Sequence, residues 1–200
     1  MFDINSFKSA LPYGGARPSL FDIRIPLPAG MDLGSHGADS SRALTLNAKS
    51  TTIPTGTIEP VEVPYFGRIF KMPGGRTFDE WTTTVSNDED FRVRDLLEQW
   101  MDSINGNVTN QESITQSQFG VTPAVDGIVT QYGKNGNAIR RYVMKGCWPS
   151  TLGEITLDWS EASAIEEFEV TWQFNWWESA AIEGAGREVL VEVDTIAQYR

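Results

Sequence analysis

The sequence is poor in the residues that most metal and redox chemistry requires. It holds one cysteine, Cys147, and one histidine, His36, among 200 residues. A single cysteine excludes an internal disulfide framework and suits a reducing compartment. Structural zinc needs several Cys or His ligands, so no metal site of that type and no cofactor is expected. No run of about 18 apolar residues occurs, so no membrane-spanning helix is expected. The start, Met1-Phe2-Asp3-Ile4-Asn5, has neither a basic stretch nor an apolar core, so a secretory signal is not expected. Basic residues are outnumbered too. Lys and Arg total 16 against 27 Asp and Glu, a formal charge of −11. That balance argues against ordinary nucleic-acid binding, in which Lys and Arg neutralise phosphates.

What the sequence does hold is a β pattern. Hydrophobic residues make up 40% of the chain, enough for a core, and residues 1–200 read as a single domain. Apolar positions mostly recur at period two. Phe21, Ile23, Ile25 and Leu27 alternate with Asp22, Arg24 and Pro26; Leu44, Leu46 and Ala48 alternate with Thr45, Asn47 and Lys49. The Thr-rich run Arg76–Asn87 carries Phe78, Trp81 and Val85. Ile155, Leu157 and Trp159 alternate with Glu154, Thr156 and Asp158. Each of these reads as a half-buried strand. Val125–Tyr132 and Ala138–Lys145 flank an Asn135-Gly136 turn, which accepts the positive φ of a tight hairpin.

One helix is expected over about 88–104. Asn87 suits the N-cap, and Asp88, Glu89 and Asp90 place negative charge on the first turn. Val93, Leu96, Leu97, Trp100, Met101 and Ile104 then form one apolar stripe before Asn105-Gly106. Pro28–Arg42 and Asn105–Pro123 read as loops. Ile53–Pro64 also reads as a loop, since its three prolines exclude it from any central strand. Val189, Val191 and Val193 suggest an extra strand after Gly184–Gly186. The expected class is mainly β (α+β), an antiparallel β-barrel or sandwich with one flanking helix.

Few residues suggest chemistry. His36 lies in a Gly- and Ser-rich loop without a nucleophile elbow, and Cys147 suits a buried structural role better than a nucleophilic one. Met72-Pro73-Gly74-Gly75-Arg76 matches neither a P-loop nor a dinucleotide fingerprint. Helix capping accounts for Asp88-Glu89-Asp90, and the sequon Asn107-Val108-Thr109 has no use without a secretory route. Glu154 and Asp158 share one strand face, as do Glu167 and Glu169. Paired strands would make an acidic patch, which glycosidases use. A solvated or subunit-facing acidic surface is the competing reading.

The stretch Phe168-Glu169-Val170-Thr171-Trp172-Gln173-Phe174-Asn175-Trp176-Trp177 has two distinct faces. Phe168, Val170, Trp172, Phe174 and Trp176 form an apolar core face, and Glu167, Glu169, Thr171, Gln173 and Asn175 a polar one. Five further segments accompany it in order. They are Ala16–Phe21, Gly75–Trp81, Val85–Glu89, Lys145–Pro149 and Gly153–Trp159. Together, from about Ala16 to Glu178, they resemble the tail tube proteins of contractile-tailed bacteriophages. Two departures stand out: the longer loop 28–42 and the extension 179–200.

The resemblance implies a non-enzymatic subunit that forms hexameric rings stacked into a hollow tube inside a contractile sheath. It implies DNA passing through without specific binding, and sheath, baseplate and tail terminator proteins as partners. Contact with the host envelope would be transient. The protein would belong to the virion and be made in the host cytoplasm. Type VI secretion tubes and extracellular contractile injectors share this fold and remain the alternative, with a glycosidase-type enzyme behind them. The candidate lumen face is Glu154, Asp158, Glu167, Glu169, Thr171, Gln173 and Asn175, an acidic and amide wall that phosphates would slide past. The candidate ring-stacking residues are Phe2, Phe7 and Tyr13 of an N-terminal arm (1–15), with Ile53, Pro54, Tyr65, Phe66 and Arg68.

Overall fold

In the computed structural model, which describes residues 3–11, 14–28, 37–107, 124–161, 163–183 and 187–188, three helices accompany ten strands. The first half runs α1 (Ile4–Ala10), β1 (Phe21–Arg24), α2 (Gly37–Asn47), β2 (Ala48–Thr51), β3 (Gly56–Tyr65) and β4 (Arg68–Phe78). Then come β5 (Trp81–Ser86), α3 (Arg92–Ile104), β6 (Val125–Tyr132) and β7 (Ala138–Leu152). The chain continues through β8 (Glu167–Gln173), β9 (Trp176–Glu183) and β10 (Arg187–Glu188). The fold is mainly β, and its strand pairs are antiparallel.

The main sheet has the order β1-β6-β7-β8-β5-β2, with β9 also on β7 and β10 on β9. Among the described residues this path ends at β1 and β2 without closing into a barrel. β3 and β4 form a separate two-stranded ribbon. The hairpin between β6 and β7 forms at Asn135-Gly136, where Gly136 takes φ 77° and Gly133 N donates to Asn137 O at 2.8 Å.

The core is built from tryptophan. Trp81 on β5 stands directly across from Trp172 on β8, with ring centroids 5.9 Å apart. Trp100 of α3 meets Trp172 edge-on at 5.7 Å. All three are fully buried, with Val93, Leu97, Val170 and Phe168 around them. Burial of each large side chain contributes about 1.5–3 kcal/mol, provided its polar atoms are satisfied. Trp172 Nε1 donates to Thr83 Oγ1 at 2.9 Å, and Trp81 Nε1 donates to Thr51 Oγ1 and Thr52 O at 2.8 and 3.0 Å.

The helix α3 buries the predicted stripe Val93, Leu96, Leu97 and Trp100 but begins four residues later than expected. Asn87 is not its cap: its backbone N and side-chain Nδ2 both donate to Glu166, and the cap position is Phe91 at φ 52°. Asp88 still serves the helix by accepting from Arg92 N at 3.1 Å.

Several expectations change. The single flanking helix becomes three helices. Leu44 and Leu46 lie on α2, not on a strand, and the strand starts at Ala48. Residues two apart on a helix point about 200° apart, so burying Leu44 and exposing Leu46 imitates a strand alternation. Ile53–Pro64 is not wholly a loop, since β3 occupies most of it. Pro60 and Pro64 fit because a two-stranded ribbon has only edges, where a missing N–H is tolerated. The run 76–87 breaks at Asp79-Glu80, and residues 154–159 form no strand. The run 168–177 breaks at Phe174-Asn175, opposite Gly146, which takes φ 66°. The loop 105–123, the 28–42 loop up to residue 36, and the strand suggested at 189–193 fall largely or wholly outside the described residues.

Candidate assembly surfaces

The sheet segment β5–β8 presents two faces of opposite character. Directly paired residues of antiparallel strands share a face. Trp81 pairs with Trp172, Thr83 with Val170 and Val85 with Phe168, which makes the core face. Thr82 pairs with Thr171, Thr84 with Glu169 and Ser86 with Glu167, which makes the other face wholly polar. Gln173 extends that face and donates through Nε2 to Glu80 Oε1 at 2.7 Å. Lys49 from β2 pairs with Glu167, so one carboxylate is partly compensated, while Glu169 is exposed without an ion pair among the described residues. The result is a wall of hydroxyls, an amide and carboxylates, with Lys49 as a basic neighbour on the adjoining strand.

The predicted lumen residues divide accordingly. Glu167, Glu169, Thr171 and Gln173 lie together on this face. Asn175 is exposed in the β8–β9 break, where its N donates to Lys145 O at 2.9 Å. Glu154 and Asp158 lie in the β7–β8 connection, outside any strand, so strand parity does not assign them to this face. The paired acidic strands of the glycosidase reading are therefore not formed. Asp158 instead holds a turn, accepting from Ser160 N and Oγ, and these bonds lower its pKa.

Of the predicted core residues, Phe168, Val170 and Trp172 are buried and Phe174 is half-buried. Trp176 is 48% exposed and is not in the core. The break at Asn175 shifts the strand parity by one, so Trp177 turns inward instead. Its ring packs on Tyr142 and Phe78 at 5.9 and 6.4 Å.

The β3–β4 ribbon carries an extended apolar surface outside the core. Val61 pairs with Met72, Val63 with Phe70 and Tyr65 with Arg68. One ribbon face therefore gathers Val61, Val63, Tyr65, Phe70 and Met72, all of them exposed. Phe66 and Gly67 make the turn at φ 43° and 77°, which sets Phe66 at the tip, 90% exposed. A β-bulge sets Gly74-Gly75 of β4 opposite the single residue Glu59 of β3, and a Cβ on Gly74 would lie 2.5 Å from Glu59 O. The ribbon is rooted by Trp177 Nε1 donating to Thr55 O at 3.1 Å and by Phe78 against Phe174 and Trp177. A two-stranded ribbon alone is marginally stable in water, and an exposed apolar face of this extent signals an interaction site.

Of the predicted stacking residues, Tyr65, Phe66 and Arg68 cluster at this tip, and Ile53 is exposed near the root. Pro54 is buried and unavailable to a neighbour. Phe7 is exposed on α1, a seven-residue helix with no buried residue; Phe2 and Tyr13 lie outside the described residues. Leu157 and Trp159 read as half-buried because strand-like alternation signals burial without saying by what, while Phe70 and Met72 carry no such pattern and their exposure is visible only in the fold.

The two residues weighed for nucleophilic chemistry can be placed only in part. His36 lies outside the described residues. Cys147 is fully buried, and burial pushes its thiol pKa far up, with the Asp126 charge adding to the effect. Asp126 accepts from Lys145 at 2.7 Å, a bond that raises the Lys145 pKa. No group of three or more potential metal ligands occurs among the described residues.

These features define a class: a β-sheet protein with a polar sheet face on one side of its core and an exposed apolar ribbon outside it. A profile described as phage tail tube protein matches residues 16–180. The tail tube protein gp19 of Enterobacteria phage T4 is 31% identical over 164 residues, covering 82% of this chain and 91% of gp19. The tail tube protein of Serratia phage KSP90 is 28% identical over 170 residues, covering 84% and 92%. In structure, a chain of the PVC extracellular contractile injection system, from its extended sheath–tube complex, aligns with a TM-score of 0.52. That alignment has 15% identity and covers 91% of this chain and 100% of the other. At that identity the likeness is one of fold. The chain belongs to the phage tail tube protein family.

Proposed function

We propose that this chain is the repeating structural subunit of a phage tail tube, without enzymatic activity. Copies close into hexameric rings, the rings stack into a hollow tube within a contractile sheath, and DNA leaves through the lumen. The observation that carries this reading is the polar face of β5–β8, backed along its whole length by a tryptophan core. Duplex DNA carries one charge per about 1.7 Å, so a basic lumen would grip many phosphates at once and stall passage. A wall of Thr82, Thr84, Glu169, Thr171 and Gln173 repels or ignores them, and Glu167 and Asn175 border it. The β3–β4 tip and the N-terminal arm then join successive rings. Residues 1–200 act as one tube domain, with the arm 1–15, the loop 28–42 and the extension 179–200 serving contacts outside its strands.

Sheath, baseplate and terminator proteins are its partners in the virion, and synthesis is in the host cytoplasm. The phage setting is favoured over a secretion or injection machine by identity of 31% to a phage tail tube protein against 15% to the injection-system chain. Negative-stain microscopy of the purified protein tests the reading. Rings or tubes are expected; dispersed monomers at high concentration contradict it.

A further inference from the structure

The connection between β7 and β8 is a second exposed apolar surface, and its charge is the reverse of the ribbon's. Leu157 and Ile165 are exposed at 77% and 70%, and Trp159 is fully exposed. Around them stand Glu154, Asp158, Glu161 and Glu166, with no basic residue in residues 153–166. The ends of this connection are fixed. Gly153 N donates to Glu169 O at 2.7 Å, Gly153 O accepts from Arg94, and Glu166 is held by Asn87 through backbone and side chain. The Asp158–Ser160 turn sets Trp159 at its apex. With both ends and the 158–160 turn held, docking against Leu157 and Trp159 orders little additional chain.

Charge and position match it to the ribbon. The ribbon carries Arg68, Lys71 and Arg76 against Glu59 and Glu62. Lys71 pairs with Glu62 at 3.3 Å, while Arg68 and Arg76 have no ion pair among the described residues. Register places the two surfaces at opposite ends of the same strands. The ribbon is rooted beside Trp81, where β5 meets Trp172 and Gln173. The β7–β8 connection ends at Glu167, which pairs with Ser86 at the far end of β5. The length of β5 separates those ends by about 20 Å. Within one copy the root of the ribbon and the end of the connection lie at different ends of β5, and both apolar surfaces stay exposed, so each is open to a second copy.

Resting on the tail-tube reading, we propose that the β7–β8 connection of one copy is the receptor for the β3–β4 ribbon of a copy in the next ring. Leu157 and Trp159 cover the face of Val63, Tyr65 and Phe70, and Asp158 and Glu161 face Arg68. A donor at one end and an acceptor at the other form a heterologous contact, which repeats from copy to copy and extends a stack. It gives the stack a direction as well.

The test uses the full chain with two sets of substitutions at exposed positions, Leu157→Ser with Trp159→Ser, and Arg68→Glu with Phe70→Ser. Circular dichroism and unfolding midpoints of both variants should match the parent. Each variant alone should give rings of normal diameter and no tubes. Mixed in equal amounts they should give pairs of rings and nothing longer, since one working contact forms between the two kinds. The exchange Arg68→Glu with Glu161→Arg, which leaves the Asp158–Ser160 turn intact, should restore part of the stacking lost in Arg68→Glu alone. Normal tubes from the Leu157/Trp159 variant, or mixtures that stay single rings, overturn the contact while the tube reading stands. Monomers in place of rings overturn its placement between rings. A parent chain that forms neither rings nor tubes overturns the tube reading itself.

Discussion

The indole nitrogen of Trp172 donates to the hydroxyl of Thr83 at 2.9 Å, entirely inside the core and across the β5–β8 pair. Thr83 lies between Trp81 and Val85 on the same inward face, so an otherwise costly buried hydroxyl is useful where it stands. Thr83→Val keeps the shape and removes the acceptor. The unsatisfied indole should cost about 1–3 kcal/mol, read as a lower midpoint in denaturant. At this chain length the melting temperature should fall by roughly 2–4 °C per kcal/mol. Thr83→Ser, which keeps the hydroxyl, should lose much less.

Gly74→Ala should separate folding from assembly. The added Cβ would lie 2.5 Å from Glu59 O and 2.8 Å from Val61 Cγ2, so the ribbon backbone must move. The ribbon lies outside the tryptophan core. The expected result is a subunit with nearly unchanged core unfolding and shortened or absent tubes by electron microscopy. Full-length tubes from this variant would show that ribbon register is irrelevant to assembly.

Cys147 sets an alkaline limit. Burial raises its folded-state pKa above the ordinary value of about 8.5. A raised pKa means the neutral thiol is favoured in the fold. That contribution is complete below the ordinary thiol range and is lost progressively as pH climbs toward the raised value. Stability should therefore fall above about pH 8.5, and less so in Cys147→Ala. The folded protein should also resist thiol alkylation at about pH 8.5, reacting only when unfolded.

Much of the fold was legible because its signals are local. The α3 stripe, the Asn135-Gly136 turn and the alternation through Phe168, Val170 and Trp172 each need no distant partner to be read. The start of α3 was misjudged because Asn87 is engaged by Glu166, 79 residues away, and no local rule sees that bond. The parity change at Asn175 depends on Gly146 across the strand pair; a glycine within an apolar run was its only trace. Leu157 and Trp159 show the deeper limit. Apolar alternation signals burial, yet the subunit leaves both residues exposed, and no local rule says what would cover them. Glu154 and Asp158 were grouped with Glu167 and Glu169 by strand parity, which fails once residues 153–158 are not a strand.

Lumen charge should be adjustable without harm to the fold. Glu169 is exposed and the Lys49–Glu167 pair is partly solvated, so Glu169→Lys should change stability by less than about 1 kcal/mol. Repeated around every ring, it should slow DNA release and make release strongly salt-dependent. Each further phosphate neutralised by the wall steepens the slope against log salt by about 0.9. Ejection rates measured across a salt series check this.

A cryo-EM reconstruction of tubes assembled from this chain tests the central claim most directly. The expected result is a continuous lumen wall carrying Thr82, Thr84, Glu169, Thr171 and Gln173, with Trp81, Trp100 and Trp172 behind it. A tube with those polar side chains on its outer surface, and another face of the subunit toward the lumen, would contradict it.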